Sequence, residues 1–139
     1  MTDTVETLFD QGFERYRAGE EPDTLIPVFQ EISDRAPKNA AAWTSLAWLY
    51  LLADKPKSAL KAAQKAVKCD SRAPQARVNL ALALLETETK GVRQQIDAVA
   101  QMAALDSDIH KEIKVNIEDG LTRKPDWKNL QRVKSWLFE

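Results

Sequence analysis

The chain of 139 residues contains one cysteine, one histidine and four glycines, and its charges nearly cancel, with 20 Lys and Arg against 21 Asp and Glu. Each scarcity excludes something. A single Cys69 cannot form an internal disulfide, and Met1-Thr2-Asp3-Thr4-Val5-Glu6 has neither the basic start nor the apolar stretch of a secretory signal. A reducing compartment such as the cytoplasm is expected. The formal net charge of -1 excludes a strongly basic body that holds nucleic acid through counterion release. Nucleic acid is therefore not the expected partner. The longest apolar run, near Leu46 to Ala53, falls well short of the roughly 18 residues that a membrane span needs. The lone His110 has Asp106, Asp108 and Glu112 around it, but no second histidine or cysteine stands at ligand spacing. Those acids are better read as caps and dipole partners of a helix start than as a metal site. No glycine-rich phosphate loop, nucleophile elbow or histidine pair is present. Neither an enzyme, a catalytic residue, a metal nor a cofactor is expected.

What remains is a chain 44% hydrophobic and 29% charged, average for a globular domain with one core. No stretch alternates apolar with polar residues over a strand's length, whereas several windows place apolar residues at helical spacing. The spacing predicts an all-α chain with helices over 3–18, 23–36, 40–53, 56–69, 74–87, 91–105, 108–121 and 126–138. Proline and glycine stand between these windows or at their starts, where helices turn or begin.

Between Pro37 and Asp70 lie Trp43, Leu46, Ala47, Tyr50, Ala59 and Ala66. Ala59, Ala63 and Ala66 form a narrow small-residue face, which lets the second helix approach the one that carries Trp43, Ala47 and Tyr50. This order and spacing resembles the tetratricopeptide repeat (TPR), a helix-turn-helix unit of about 34 residues. Leu8, Gly12, Phe13, Tyr16, Gly19, Phe29 and Pro37 are similar to a first repeat, and Leu80, Ala81 and Leu84 to a third. A last pair completes the chain, with one stripe of Ile109, Ile113 and Ile117 and another of Leu130, Val133 and Leu137.

The resemblance implies an all-α, right-handed helical-hairpin solenoid of about three repeats with a C-terminal capping helix pair. Its units would be 3–37, 38–71, 72–107 and the capping pair 108–139, together one domain. A further, weaker resemblance is to small stand-alone TPR proteins of cyanobacteria and plastids, some of which assist assembly of photosynthetic complexes. By the family's geometry the first helices line a groove for a segment of another protein. The groove positions are then Phe13 and Arg17 in the first unit, Thr44, Ser45, Trp48 and Leu52 in the second, and Asn79, Leu82 and Glu86 in the third. Trp48 is either covered by a neighbouring helix or an exposed anchor for the partner. The family's clamp for a terminal carboxylate is matched only by Asn79, because Asp10 and Ser45 occupy two of its other positions. Cys69 stands where the family has leucine and is expected to be a small buried hydrophobe.

Charge is unevenly distributed: the first 34 residues are acidic and residues 35–90 basic. Lys57, Lys61, Lys65 and Lys68 share the helical face opposite the alanines. That face is either plainly solvated or a site for an acidic protein, RNA or an anionic surface. The opposite signs also allow head-to-tail self-association.

Overall fold

The computed structural model describes residues 3–139; Met1 and Thr2, the start of the stretch tested for a secretory signal, lie outside the described residues. These fold into eight helices: α1 (Val5–Arg17), α2 (Pro22–Arg35), α3 (Ala40–Leu52), α4 (Pro56–Cys69), α5 (Pro74–Glu86), α6 (Val92–Leu105), α7 (Ser107–Arg123) and α8 (Lys128–Phe138). Every helix expected from the spacing is present, and no end moves by more than two residues. No strand occurs among the described residues.

Local chemistry sets these boundaries. Pro22, Pro56 and Pro74 open α2, α4 and α5, where a missing N–H costs nothing. Side chains of Thr4, Asn39 and Asp106 accept hydrogen bonds from orphan backbone N–H groups at the starts of α1, α3 and α7. The helices α1, α3 and α5 end the same way, with Gly19, Asp54 and Glu88 in the left-handed region at φ of 90°, 59° and 52°. The next N–H then reaches back to Arg15, Tyr50 and Leu84 carbonyls, which closes each helix with the same six-residue loop.

Consecutive helices pack as antiparallel neighbours, and the tightest pairing is α3 with α4. The alanine face explains it: Ala59, Ala62, Ala63 and Ala66 are all buried, so α4 can approach α3 closely. The helices α3 and α5 are buried on most sides, whereas α1 buries only Gly12 completely, a Cβ there falling 2.8 Å from the Phe29 ring. One apolar cluster joins α2, α3, α4 and α5, with Leu25, Phe29, Ile32 and Leu46 at its centre. A second joins α3, α5 and α6 to Ile113, Ile117, Trp127, Leu130 and Val133 of the C-terminal pair.

One side chain departs from the sequence reading. Cys69 is exposed at the end of α4, its thiol 3.6 Å from the Pro37 carbonyl, because the helix ends there and leaves nothing beyond to cover it. Trp43 is only half-buried at the edge of its unit; its indole N–H donates to the Pro37 carbonyl and the Lys65 ammonium lies over its ring.

Candidate functional site

The pair α7 and α8 packs on α5 and α6 as a terminal cover would, but α7 also runs on across the face where α1, α3 and α5 are aligned. One side of α7 does this, through residues 116, 119, 120 and 123, spaced as a helix spaces a single stripe. Asn116 meets Gln75 of α5, Gly120 meets the Trp48 ring of α3, and Asp119 and Arg123 meet Tyr16 of α1. A Cβ on Gly120 would fall 2.6 Å from the Leu130 side chain and 2.8 Å from Trp48. Only a residue without a side chain lets α7 come so close.

Trp48 is the hub of this contact. Its ring lies 5.5 Å from that of Trp127, and its indole N–H donates to the Tyr16 hydroxyl at 2.8 Å. The Tyr16 hydroxyl in turn donates to the Asp119 carboxylate. Arg123 closes the network: its guanidinium pairs with Asp119, donates to the Tyr16 carbonyl and lies 3.8 Å from the Tyr16 ring centre. Burial, and then the hydrogen bond to Asp119, raise the Tyr16 pKa well above the usual phenol value.

Beside this contact α1 and α7 stand apart, and a cavity of about 510 Å³ opens between them. Its lips are apolar and exposed: Phe13 on α1 and Val115 on α7. Thr44, Ser45 and Trp48 form the floor on α3, and Gln75 and Asn79 line the α5 side. Asn79 is completely buried, yet both ends of its amide are used, with Gln75 donating to it and its own N–H donating to the Thr44 carbonyl. Arg17 lies at the rim, 4.7 Å above the Phe13 ring and 3.9 Å from Glu14.

Of the groove residues taken from the sequence, Phe13, Arg17, Thr44, Ser45, Trp48 and Asn79 meet around this cavity. Leu52 and Leu82 do not. They are buried in the apolar cluster that includes α7 and α8, which cover that stretch of α3 and α5. Glu86 is taken up by the same cover, accepting from the Trp127 indole and the Asn129 amide. The sequence reading missed Tyr16, Phe29, Leu49, Gln75, Val115, Asn116, Asp119 and Arg123 as lining residues. A glycine at position 120, in line with Ile113 and Ile117, was the available signal that this face of α7 lies against something bulky. Lys57, Lys61, Lys65 and Lys68 are all exposed along α4, and none forms an ion pair among the described residues. His110 is exposed with its ring edge-on to Phe138, and no group of three or more His, Cys, Asp or Glu residues is placed to hold a metal among the described residues.

No protein-family model and no curated protein matches the chain. Solved structures do. The structure titled "First TPR of Spaghetti (RPAP3) bound to HSP90 peptide SRMEEVD" superposes with a TM-score of 0.66 at 18% identity, over 85% of this chain and 95% of that one. The Arabidopsis OM64 TPR domain matches with a TM-score of 0.58 at 16% identity, over 96% of this chain and 93% of its own. The fold is TPR-like. A chain from a T3SS complex of Aeromonas hydrophila is similar as well, with a TM-score of 0.69, 21% identity, and coverage of 91% of this chain and 86% of that one. At these identities the likeness concerns the fold. In this TPR-like domain α7 forms one wall of the cavity, and α1, α3, α5 and Phe29 of α2 supply the remainder. No helix of the described residues is long and apolar enough to cross a membrane.

Proposed function

We propose that this TPR-like domain is a non-catalytic adaptor or assembly factor that holds a segment of another protein in the cavity between α1 and α7, in a reducing compartment such as the cytoplasm. The observation that carries this reading is the pair of exposed apolar lips, Phe13 at 42% and Val115 at 65% exposure, on opposite sides of a cavity of about 510 Å³. Exposed apolar groups around a cleft gain free energy when a partner covers them, and the volume falls in the range of about 300–1,000 Å³ typical of binding clefts. A similarly folded domain carries a bound HSP90 peptide, which supports a protein segment as the occupant. Thr44, Ser45 and Trp48 would form the floor beneath that segment with Asn79 on the α5 side, Phe13 would cover it, and Arg17 would stand at its edge.

The competing reading places the partner, an acidic protein or another anionic surface, on the exposed lysines of α4. Affinity capture from native extract separates the two. Capture that resists salt, is lost in a Phe13→Arg, Val115→Arg double variant and survives conversion of the four lysines to glutamine supports the cavity. Capture that is lost with the lysines and abolished by salt moves function to the outer face.

A further inference from the structure

The cavity wall carries a row of primary amides that crosses from α7 to α3. Asn116 donates to the Gln75 carbonyl oxygen at 2.9 Å, Gln75 donates to Asn79 at 2.8 Å, and Asn79 donates to the Thr44 backbone carbonyl at 2.9 Å. The row is ordered from its buried end, since Asn79 is completely enclosed while Gln75 and Asn116 are half-buried. A primary amide has two N–H donors and a carbonyl oxygen with two lone pairs. Gln75 therefore keeps one N–H and one carbonyl lone pair, and Asn116 keeps one N–H and its whole carbonyl oxygen, for whatever enters the cavity. Ser45 lines the same cavity.

The charges in the cavity wall, Asp119 and Arg123, are already engaged with one another, whereas Arg17 is exposed at the rim. Asp119 is held by Arg123 and by the Tyr16 hydroxyl, Arg123 also donates to the Tyr16 carbonyl, and Arg17 lies over Phe13 beside Glu14. A charged group moved from water past the rim would lose its hydration and find only Asp119 and Arg123, which are already paired.

Granted that a protein segment occupies the cavity, we infer that the segment is uncharged there: an extended stretch of main chain whose peptide groups pair with Gln75 and Asn116, and whose apolar side chain lies between Phe13 and Val115. Main chain alternates donor and acceptor, which is what the spare valences of two neighbouring amides require. This differs in charge from the acidic peptide SRMEEVD in the RPAP3 structure. Asn116 comes from α7, so the helix that closes the array also contributes to what it selects.

The test titrates the full chain, with its side-chain amides observed by nuclear magnetic resonance, against two probes: the capped neutral peptide acetyl-Gly-Leu-Leu-Gly-amide and the heptapeptide SRMEEVD. The expected result is that the neutral peptide shifts the Gln75 and Asn116 amide resonances, and that Asn116→Leu weakens its binding about tenfold, the equivalent of one lost hydrogen bond. Val115→Lys, at an exposed position that leaves the fold alone, should weaken it similarly. Tighter binding of SRMEEVD at the cavity would overturn the inference while leaving a protein segment as the occupant. Binding of the neutral peptide unaffected by Asn116→Leu and Val115→Lys would overturn it as well. Neither probe shifting any cavity resonance would remove both this inference and the functional reading on which it rests.

Discussion

Truncating the two central tryptophans should separate them by burial. Trp48 is 9% exposed, sits against Trp127 and Gly120, and gives its indole N–H to Tyr16. Trp48→Ala would open a cavity where α3 meets α7 and leave the Tyr16 hydroxyl without a donor, and loss of a buried aromatic side chain costs about 3–5 kcal/mol. For a chain of this length each kcal/mol lowers the melting temperature by about 3 °C, so the expected drop is roughly 10–15 °C. Trp43 is half-buried, held by the Pro37 carbonyl and covered by Lys65, so less apolar area and no enclosed cavity are at stake. Trp43→Ala should cost about half as much. Thermal unfolding monitored by circular dichroism decides the matter, with Trp48→Phe expected to recover most of the loss. A Trp48→Ala protein that melts within a few degrees of the parent, or one less affected than Trp43→Ala, would refute the assignment of Trp48 to the seam between α3 and α7.

Stability should fall as the pH rises above about 10, because the folded state raises the Tyr16 pKa and so holds its proton where the unfolded chain has released it. The stability difference between the parent and Tyr16→Phe, measured by denaturant unfolding, should accordingly shrink with rising pH over that window and stay constant below it. Glu88 adopts a left-handed φ of 52°, so Glu88→Gly should stabilise the turn between α5 and α6 by about 1 kcal/mol, read as a higher melting temperature. Changing Lys57, Lys61, Lys65 and Lys68 together to glutamine should leave the melting temperature nearly unchanged, since exposed charges contribute about 0–1 kcal/mol each.

The helices could be read from the sequence because their signals are local. Proline at helix starts, the Asp106 cap and the alanine stripe of α4 each act within a few residues, and each recurs in the structure. The site was less legible. Repeat geometry assigns Leu52 and Leu82 to an open groove by assuming that each unit touches only its neighbours, and the fold breaks that assumption by laying α7 across α1, α3 and α5. Nothing near Leu52 in the chain indicates a cover that is supplied more than sixty residues later. Trp48 remained open between two environments for the same reason, and the structure gives it both, packed beneath α7 while one edge lines the cavity. Cys69 was misread because a repeat position was taken as a buried position, whereas burial there requires chain packed beyond the end of α4.

The hydrogen bond between Tyr16 and Asp119 joins residues 103 apart in sequence. In a linear array, each unit is stabilised by those beside it, and the terminal units fray first because they have a neighbour on one side only. Here the first helix and the last pair hold each other, so neither is a free end. Damage to α8 should be felt at α1 without passing through the units between, and summing unit stabilities along the chain would underestimate how sharply the whole molecule melts. The shallow burial of α1, which alone would make it the first element to detach, is thereby offset from the far end of the chain.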